Sequence, residues 1–514
     1  MKKRILTALS LCLSFFMLAG CTGEGTPNET KKPEDTADSG SETLPEETGK
    51  VPTGDYGANP IIATLFTADP SAHVWEDGKL YIYASHDVFP SRGCDLMDRY
   101  HVFSTTNLVD YADEGEILSS DDLDWGTSGF MWAPDCAYKD GKYYFYFPHP
   151  ESDDWNATWR VGVAVSDKPA GGFDDAGMMM NPDGKTPVGA KDGTGHDYNS
   201  MIDPCVFRDD DGTYYLFVGG GSHLYRAKIA DDMLSLAEPL TEVPSAEIPD
   251  YHEGPWVFVR EGKYYLIYAD NAAGANCMRY SVADDAEGPY TPGGVFLTAV
   301  KDCDTTHGSI VEFKGEWYLF YHNAAISGNG TLRSVCVDKV EFEDDGSIRT
   351  VVQTETGVKT AGPRAAIPGD KIVRADVGEN GGEGNFTEKK TYSSQQFTCG
   401  GGCNISDTCA ENMHLEGAWC EISGVDGGKG GKALVTFVYS SADTAATALV
   451  KSSADPTGEG YFLALRGNGS WSDFTAESSI LVDLKPGTDN VIRVEGGMFG
   501  FNLAKIIVAT EPAD

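Results

Sequence analysis

Hydrophobic and polar positions alternate in short runs along this chain, and one pattern recurs. It reads Asp77-Gly-Lys-Leu-Tyr-Ile-Tyr, Asp140-Gly-Lys-Tyr-Tyr-Phe-Tyr, Asp211-Gly-Thr-Tyr-Tyr-Leu-Phe, Glu261-Gly-Lys-Tyr-Tyr-Leu-Ile-Tyr and Lys314-Gly-Glu-Trp-Tyr-Leu-Phe-Tyr. Each copy is a glycine turn followed by a strand dense in aromatic and aliphatic residues, and an apolar segment precedes each turn. Two such runs around a short glycine turn predict a β-hairpin. The turn glycines Gly78, Gly141, Gly212, Gly262 and Gly315 stand 63, 71, 50 and 53 residues apart. Spacings of this order, with several strands in each, predict an array of small sheets that closes radially. The expected fold is all-β: a five-bladed β-propeller over residues 58–375.

The pattern changes towards both ends. Lys2, Lys3 and Arg4 precede an apolar stretch from Ile5 to Leu18, the layout of a secretory signal. Leu18-Ala19-Gly20-Cys21 resembles a bacterial lipobox, which implies removal of residues 1–20 and lipidation of Cys21. Residues 21–57 are rich in Glu, Asp, Thr, Pro, Gly and Ser and have almost no large apolar side chains, so they are expected to form a flexible acidic tether. The expected location is extracytoplasmic, on a bacterial membrane held through the lipid alone. A Gly-rich linker is expected at 376–386. Beyond it, short β-type runs at Ala433–Ser440, Tyr461–Leu465, Ile480–Leu484, Asn490–Glu495 and Leu503–Val508 predict a separate β-sandwich of jelly-roll type over 387–514.

Composition narrows the function. The 514 residues carry 39 Lys+Arg and 79 Asp+Glu, a formal charge of −40. That charge repels nucleic acid and anionic lipid, so neither is expected as a main partner. Twelve cysteines are present. Cys399, Cys403, Cys409 and Cys420 are close enough in sequence to form two local disulfides, without a zinc-like spacing. The six others beyond Cys21 are expected to be free and buried.

Counting back from the turn glycines exposes the candidate chemistry. Nine residues before Gly78, Gly212 and Gly262 stand Asp69, Asp203 and Glu253. Eight before Gly315 stands His307, and nine before Gly141 stands Trp132, with Asp135 close behind. Equivalent positions of a propeller converge on its axis, so these residues are expected in one pocket. Asp69 and Asp203 each precede proline, which favours an extended residue at a strand start. Three carboxylates in one pocket force at least one pKa upward. Glycoside hydrolysis uses that: one protonated carboxyl gives its proton to the leaving oxygen while an ionised one acts on the other face. Aromatic side chains supply a platform for sugar rings.

Thr67-Ala-Asp69-Pro-Ser-Ala-His-Val, Met131-Trp-Ala-Pro-Asp135, Ile202-Asp203-Pro, His252-Glu253-Gly-Pro-Trp, Thr306-His307-Gly-Ser-Ile-Val-Glu-Phe, Tyr321-His-Asn and Leu332-Arg333-Ser-Val resemble glycoside hydrolase family 43. The resemblance covers roughly residues 59–360. It implies a five-bladed propeller that hydrolyses plant cell-wall pentose polymers with inversion, as a β-xylosidase, an α-L-arabinofuranosidase or both. An endo-arabinanase of the same family and a non-catalytic glycan-binding lipoprotein are the alternatives. By the same resemblance Asp69 is the general base, Glu253 the general acid and Asp203 the carboxylate that tunes the acid and orients the sugar. Arg333 is implied to contact sugar hydroxyls, Trp132 to wall a subsite, and His307 to lie near a water or a structural calcium in the channel. No cofactor is implied for the chemistry. In the C-terminal region, Met413-His-Leu-Glu-Gly-Ala-Trp419, the Gly-rich run from Gly424 and Phe501-Asn502 loosely resemble a family 6 carbohydrate-binding module. That likeness implies sugar contacts from Trp419, Trp471 and Asn502.

Overall fold

The computed structural model describes residues 55–511, apart from 64, 89–93, 155–157, 190–200, 271–275, 304, 328, 366–372, 374–385, 416, 443–444, 456–459, 467 and 498–499. The expected signal peptide, Cys21, nearly all of the tether and most of the Gly-rich linker lie outside the described residues.

The described chain is built from strands and short 3-10 turns, arranged as successive antiparallel sheets. The first sheet holds β1 (Thr67–Val74), β2 (Leu80–His86), β3 (Arg99–Thr105) and β4 (Tyr111–Ser119). The second holds β5 (Asp135–Lys139), β6 (Lys142–Pro150), β7 (Trp159–Ser166) and β8 (Asp174–Met178). The third holds β9 (Cys205–Arg208), β10 (Tyr214–Val218), β11 (Tyr225–Lys228) and β12 (Thr241–Glu242). The fourth holds β13 (Glu253–Arg260), β14 (Lys263–Asp270), β15 (Cys277–Ala283) and β16 (Thr291–Leu297), and the fifth β17 (Gly308–Phe313), β18 (Glu316–Asn323) and β19 (Ser334–Val340). In each sheet the strands follow chain order.

Every sequence-predicted hairpin joins the first two strands of a sheet. Asp140-Gly141, Glu261-Gly262 and Lys314-Gly315 are two-residue loops with both φ angles positive, the turn that matches the right-handed twist of paired strands. The first strands are neighbours in a cycle: β1 with β5, β5 with β9, β9 with β13, β13 with β17, and β17 with β1. The fifth sheet is bordered by residues 59–61, which precede β1. Ile61 N–H donates to Val335 O at 2.7 Å, and the Asn59 side chain brackets Val337, accepting from its N–H and donating to its carbonyl, both at 2.9 Å. Asn59 also donates to the buried carboxylate of Asp338, as do Tyr321 and Thr354.

The C-terminal residues form a six-stranded and a five-stranded sheet. Val435, Phe437 and Ile506 from one and Cys420, Val450 and Val494 from the other share a single hydrophobic core. The sequence-predicted strands there all exist, as Gly431–Ser440, Tyr461–Arg466, Ala476–Leu484, Asn490–Gly496 and Asn502–Thr510. The cysteine expectation is corrected. Cys399, Cys403, Cys409 and Cys420 are all thiols, although Cys399 and Cys420 face each other across paired strands. Cys94 is exposed, whereas the five other described cysteines before residue 376 are buried.

Candidate active site

Asp69, Asp203 and Glu253 occupy the starts of first strands, and each start is kinked. Asp69 and Asp203 sit in the left-handed region, at φ 53° and 55°, and Gly254 follows Glu253 at φ 65°. Aspartate tolerates that conformation better than branched residues do. The β1–β2 register slips between Ala68 and Ser71, and the β13–β14 register slips between Glu253 and Trp256. Such a bulge re-aims a side chain out of the ladder. Gly254 has a second constraint, because a Cβ there would lie 3.1 Å from Nδ1 of His307.

The kinks bring the sequence-predicted residues together. His307 Nδ1 lies 3.7 Å from Asp203 Oδ2 and 4.0 Å from Asp69 Oδ1. Asp203 Oδ2 accepts from the Gly254 N–H at 2.9 Å. Two buried tyrosines border the carboxylates: Tyr100 feels Asp69 and Asp203, and Tyr251 feels Asp203 and Glu253. Trp132 is fastened beside them. Its carbonyl accepts from Tyr100 at 2.6 Å, its indole donates to Cys94 O at 2.9 Å, and its ring lies 4.4 Å from that of Trp159. Asp135 is a joint between sheets, bonded by Ser71, His73 and the Val206 N–H.

The carboxylates have opposite electrostatic environments. Burial pushes Asp69 up, but the charge of Arg333 and a hydrogen bond from Ser85 outweigh it and hold its carboxyl below the usual range. Arg333 Nη1 is 3.1 Å from Asp69 Oδ1, and Ser85 donates to Oδ2 at 2.9 Å. Asp203 is pushed well above the usual range, by burial first and then by the charges of Glu253 and Asp69. Glu253 is more open, its side chain 21% exposed, with His252 Nε2 3.7 Å from its Oε2. Burial lowers His307, which disfavours its protonated form.

The offset count missed several residues. Asp87 grips the Arg333 guanidinium with both oxygens, at 2.8 and 2.9 Å, and so aims its remaining nitrogen at Asp69. Arg333 is thus turned towards two carboxylates and is 8% exposed. Ser85 and His322 also touch Asp69, and both stand seven residues after a turn glycine. A forward count along the second strands carries that signal.

Calcium takes six to eight oxygen ligands. Among the described residues no group of three or more His, Cys, Asp or Glu is placed to hold a metal, and the imidazole of His307 could reach calcium only through water.

The sequence profile of glycosyl hydrolases family 43 matches residues 58–348, more than half of the chain. This chain belongs to that family. It is 38% identical to xylosidase/arabinosidase 43A of Humicola insolens over 57% of its own length and 98% of the relative's. It also resembles the solved structure of a GH43_1 enzyme from Xanthomonas citri, with 32% identity, TM-score 0.50, and 59% and 97% of the two chains covered. A family 43 arabinoxylan arabinofuranohydrolase structure from Bacillus subtilis shares the fold at 23% identity and TM-score 0.50, over 88% of this chain and 98% of that one. The protein is therefore a glycoside hydrolase, and its chemistry needs no cofactor.

In the C-terminal sheets, Asn502 donates to the carbonyl of Trp471 at 2.7 Å, and Trp471 is 46% exposed. Trp419 stands on the other sheet, with the Arg493 guanidinium 3.8 Å from its ring centroid. No contact joins Trp419 to the other two among the described residues.

Proposed function

We propose that this hydrolase removes terminal pentose units from xylan or arabinoxylan oligosaccharides with inversion, as a β-xylosidase, an α-L-arabinofuranosidase or both. The carrying observation is the split between the carboxylates: Asp69 is held ionised beside Arg333, while Asp203 is pushed up by burial and by Glu253. Asp69, the general base, takes a proton from water as its oxygen attacks the anomeric carbon. Glu253, the general acid, gives its proton to the departing glycosidic oxygen. Asp203 keeps that proton in the pocket, because two carboxyls so close resist double ionisation. The names of the Humicola relative and of a 35% identical Bacteroides ovatus xylosidase/arabinosidase support pentose as the substrate. Trp132 provides the aromatic wall, backed by the buried ring of Trp159.

The cycle of first strands supports a five-bladed propeller over 58–375 as the catalytic domain, with a sandwich over 387–514. Trp471 and Asn502 make that sandwich a candidate glycan-binding module. The leader supports a lipid-anchored enzyme outside the cytoplasm, working on plant polysaccharide fragments.

The test compares Glu253→Ala on xylo-oligosaccharides and on activated aryl β-xylosides. Activated leaving groups need little protonation, so the oligosaccharides are expected to lose far more. Equal loss on both removes Glu253 from the acid role. NMR of the first-formed anomer reads the stereochemistry, and a retained configuration overturns inversion.

A further inference from the structure

The register slip between Ala68 and Ser71 leaves Asp69 without a partner in the strand ladder, so its N–H needs another acceptor. It has one in His322, whose Nδ1 accepts it at 3.1 Å, 253 positions along the chain. His322 is wholly buried on β18. Its other ring nitrogen lies 3.2 Å from the carbonyl of Thr305, which can only accept. These two contacts are shorter than those of Nδ1 to Asp69 Oδ1, at 3.4 Å, and of Nε2 to the Thr305 hydroxyl, at 3.5 Å, and they fix the ring as the neutral tautomer with its proton on Nε2. Burial, and then the neighbouring Arg333, keep it neutral, pushing its pKa down to about 3. A protonated ring would set Nδ1–H against the N–H of Asp69.

We infer that His322 is a positioning residue for the reaction: its Nδ1 lone pair holds the Asp69 backbone in the left-handed kink that aims the carboxylate at water. This rests on the reading of Asp69 as the base. His322 does not touch the sugar in this role and gives or takes no proton. Ser85 and Arg333 fix the carboxylate oxygens, and His322 fixes the backbone that carries them. A base displaced by about 1 Å loses about 10²-fold in rate.

Two substitutions of the same ring separate its two bonds. In His322→Asn, the side-chain oxygen takes the place of Nδ1 and keeps the bond to Asp69 while losing the one to Thr305. In His322→Gln, the side-chain amide reaches the place of Nε2 and leaves the Asp69 N–H without an acceptor. Steady-state kinetics on an aryl β-xyloside and an aryl α-L-arabinofuranoside read the outcome, with Asp69→Ala beside them and thermal melting as the folding control. The expected result is a kcat reduced by about 10²-fold in His322→Gln, with KM within about twofold, and most of that kcat retained in His322→Asn. Equal kcat for Asn and Gln overturns the inference, as does a larger loss in Asn. Normal turnover by Asp69→Ala overturns the reading of the base instead.

Discussion

Replacing Arg333 by glutamine removes the cation that keeps Asp69 ionised. Nη1 stands 3.1 Å from Asp69 Oδ1, and the pair is buried. An arginine this close lowers an aspartate by about one to three pKa units, so its loss raises Asp69 by a similar amount. Burial, the largest influence on this carboxyl, then acts with less opposition. The base works only when ionised, so the acidic limb of the kcat/KM profile is expected to move up by about one to three pH units. A base whose pKa reaches 6 is only about one-tenth ionised at pH 5. The loss is therefore expected to be large at pH 5 and small at pH 8. One complication is Asp87, 2% exposed, which the substitution leaves without its two-pronged partner. Breaking a buried pair from one side costs about 3–5 kcal/mol. The double variant Arg333→Gln/Asp87→Asn removes that orphaned charge and still leaves Asp69 without its cation. Its acidic limb is expected to shift like that of the single variant, with a higher melting temperature. The assay is kcat/KM on an aryl β-xyloside from pH 4 to 9. A raised KM with an unmoved acidic limb would refute the electrostatic role and make Arg333 a sugar-binding residue instead.

Asp203→Asn removes the like charge coupled to Glu253, so the basic limb of the same profile is expected to move to lower pH; an unmoved limb contradicts the coupling. Asp338 is buried and raised to about 6, by burial first. A folded pKa above the ordinary value means that the favourable contribution is complete below about pH 4 and is lost as pH rises through 6. From pH 4 to pH 7, Asp338→Asn is therefore expected to gain up to about 3 kcal/mol relative to the parent in denaturant unfolding, and a flat difference argues against this. Trp471→Ala is expected to reduce retention on insoluble xylan without changing turnover of aryl glycosides, and unchanged retention speaks against a glycan site at Trp471.

The repeat made much of the site legible in advance. Residues at nearly one offset from a turn glycine fall at one level of neighbouring sheets, so Asp69, Asp203 and Glu253, nine residues before, and His307, eight before, could be grouped without coordinates. The same period hid what lies on other strands. Ser85 and His322 come from second strands, and Asp87 follows one, so the backward count passes over them. In the C-terminal region the runs richest in aliphatic residues announced their strands. Trp419–Val425 and Ala445–Ser452 did not, because polar residues and alanines interrupt their apolar face.

Local sequence determined the hairpins, because a glycine turn between apolar runs has few other ways to bury them, and it determined which carboxylates share a level. Only the tertiary structure decided their unequal character. Asp69 is ionised because Arg333, from the far end of the fifth sheet, is gripped by Asp87 and faces it across 264 positions of chain. Asp203 is pushed the other way because burial removes water and places Glu253 beside it. Coulomb interactions and desolvation depend on distance and exposure, and only the tertiary arrangement of the sheets sets those.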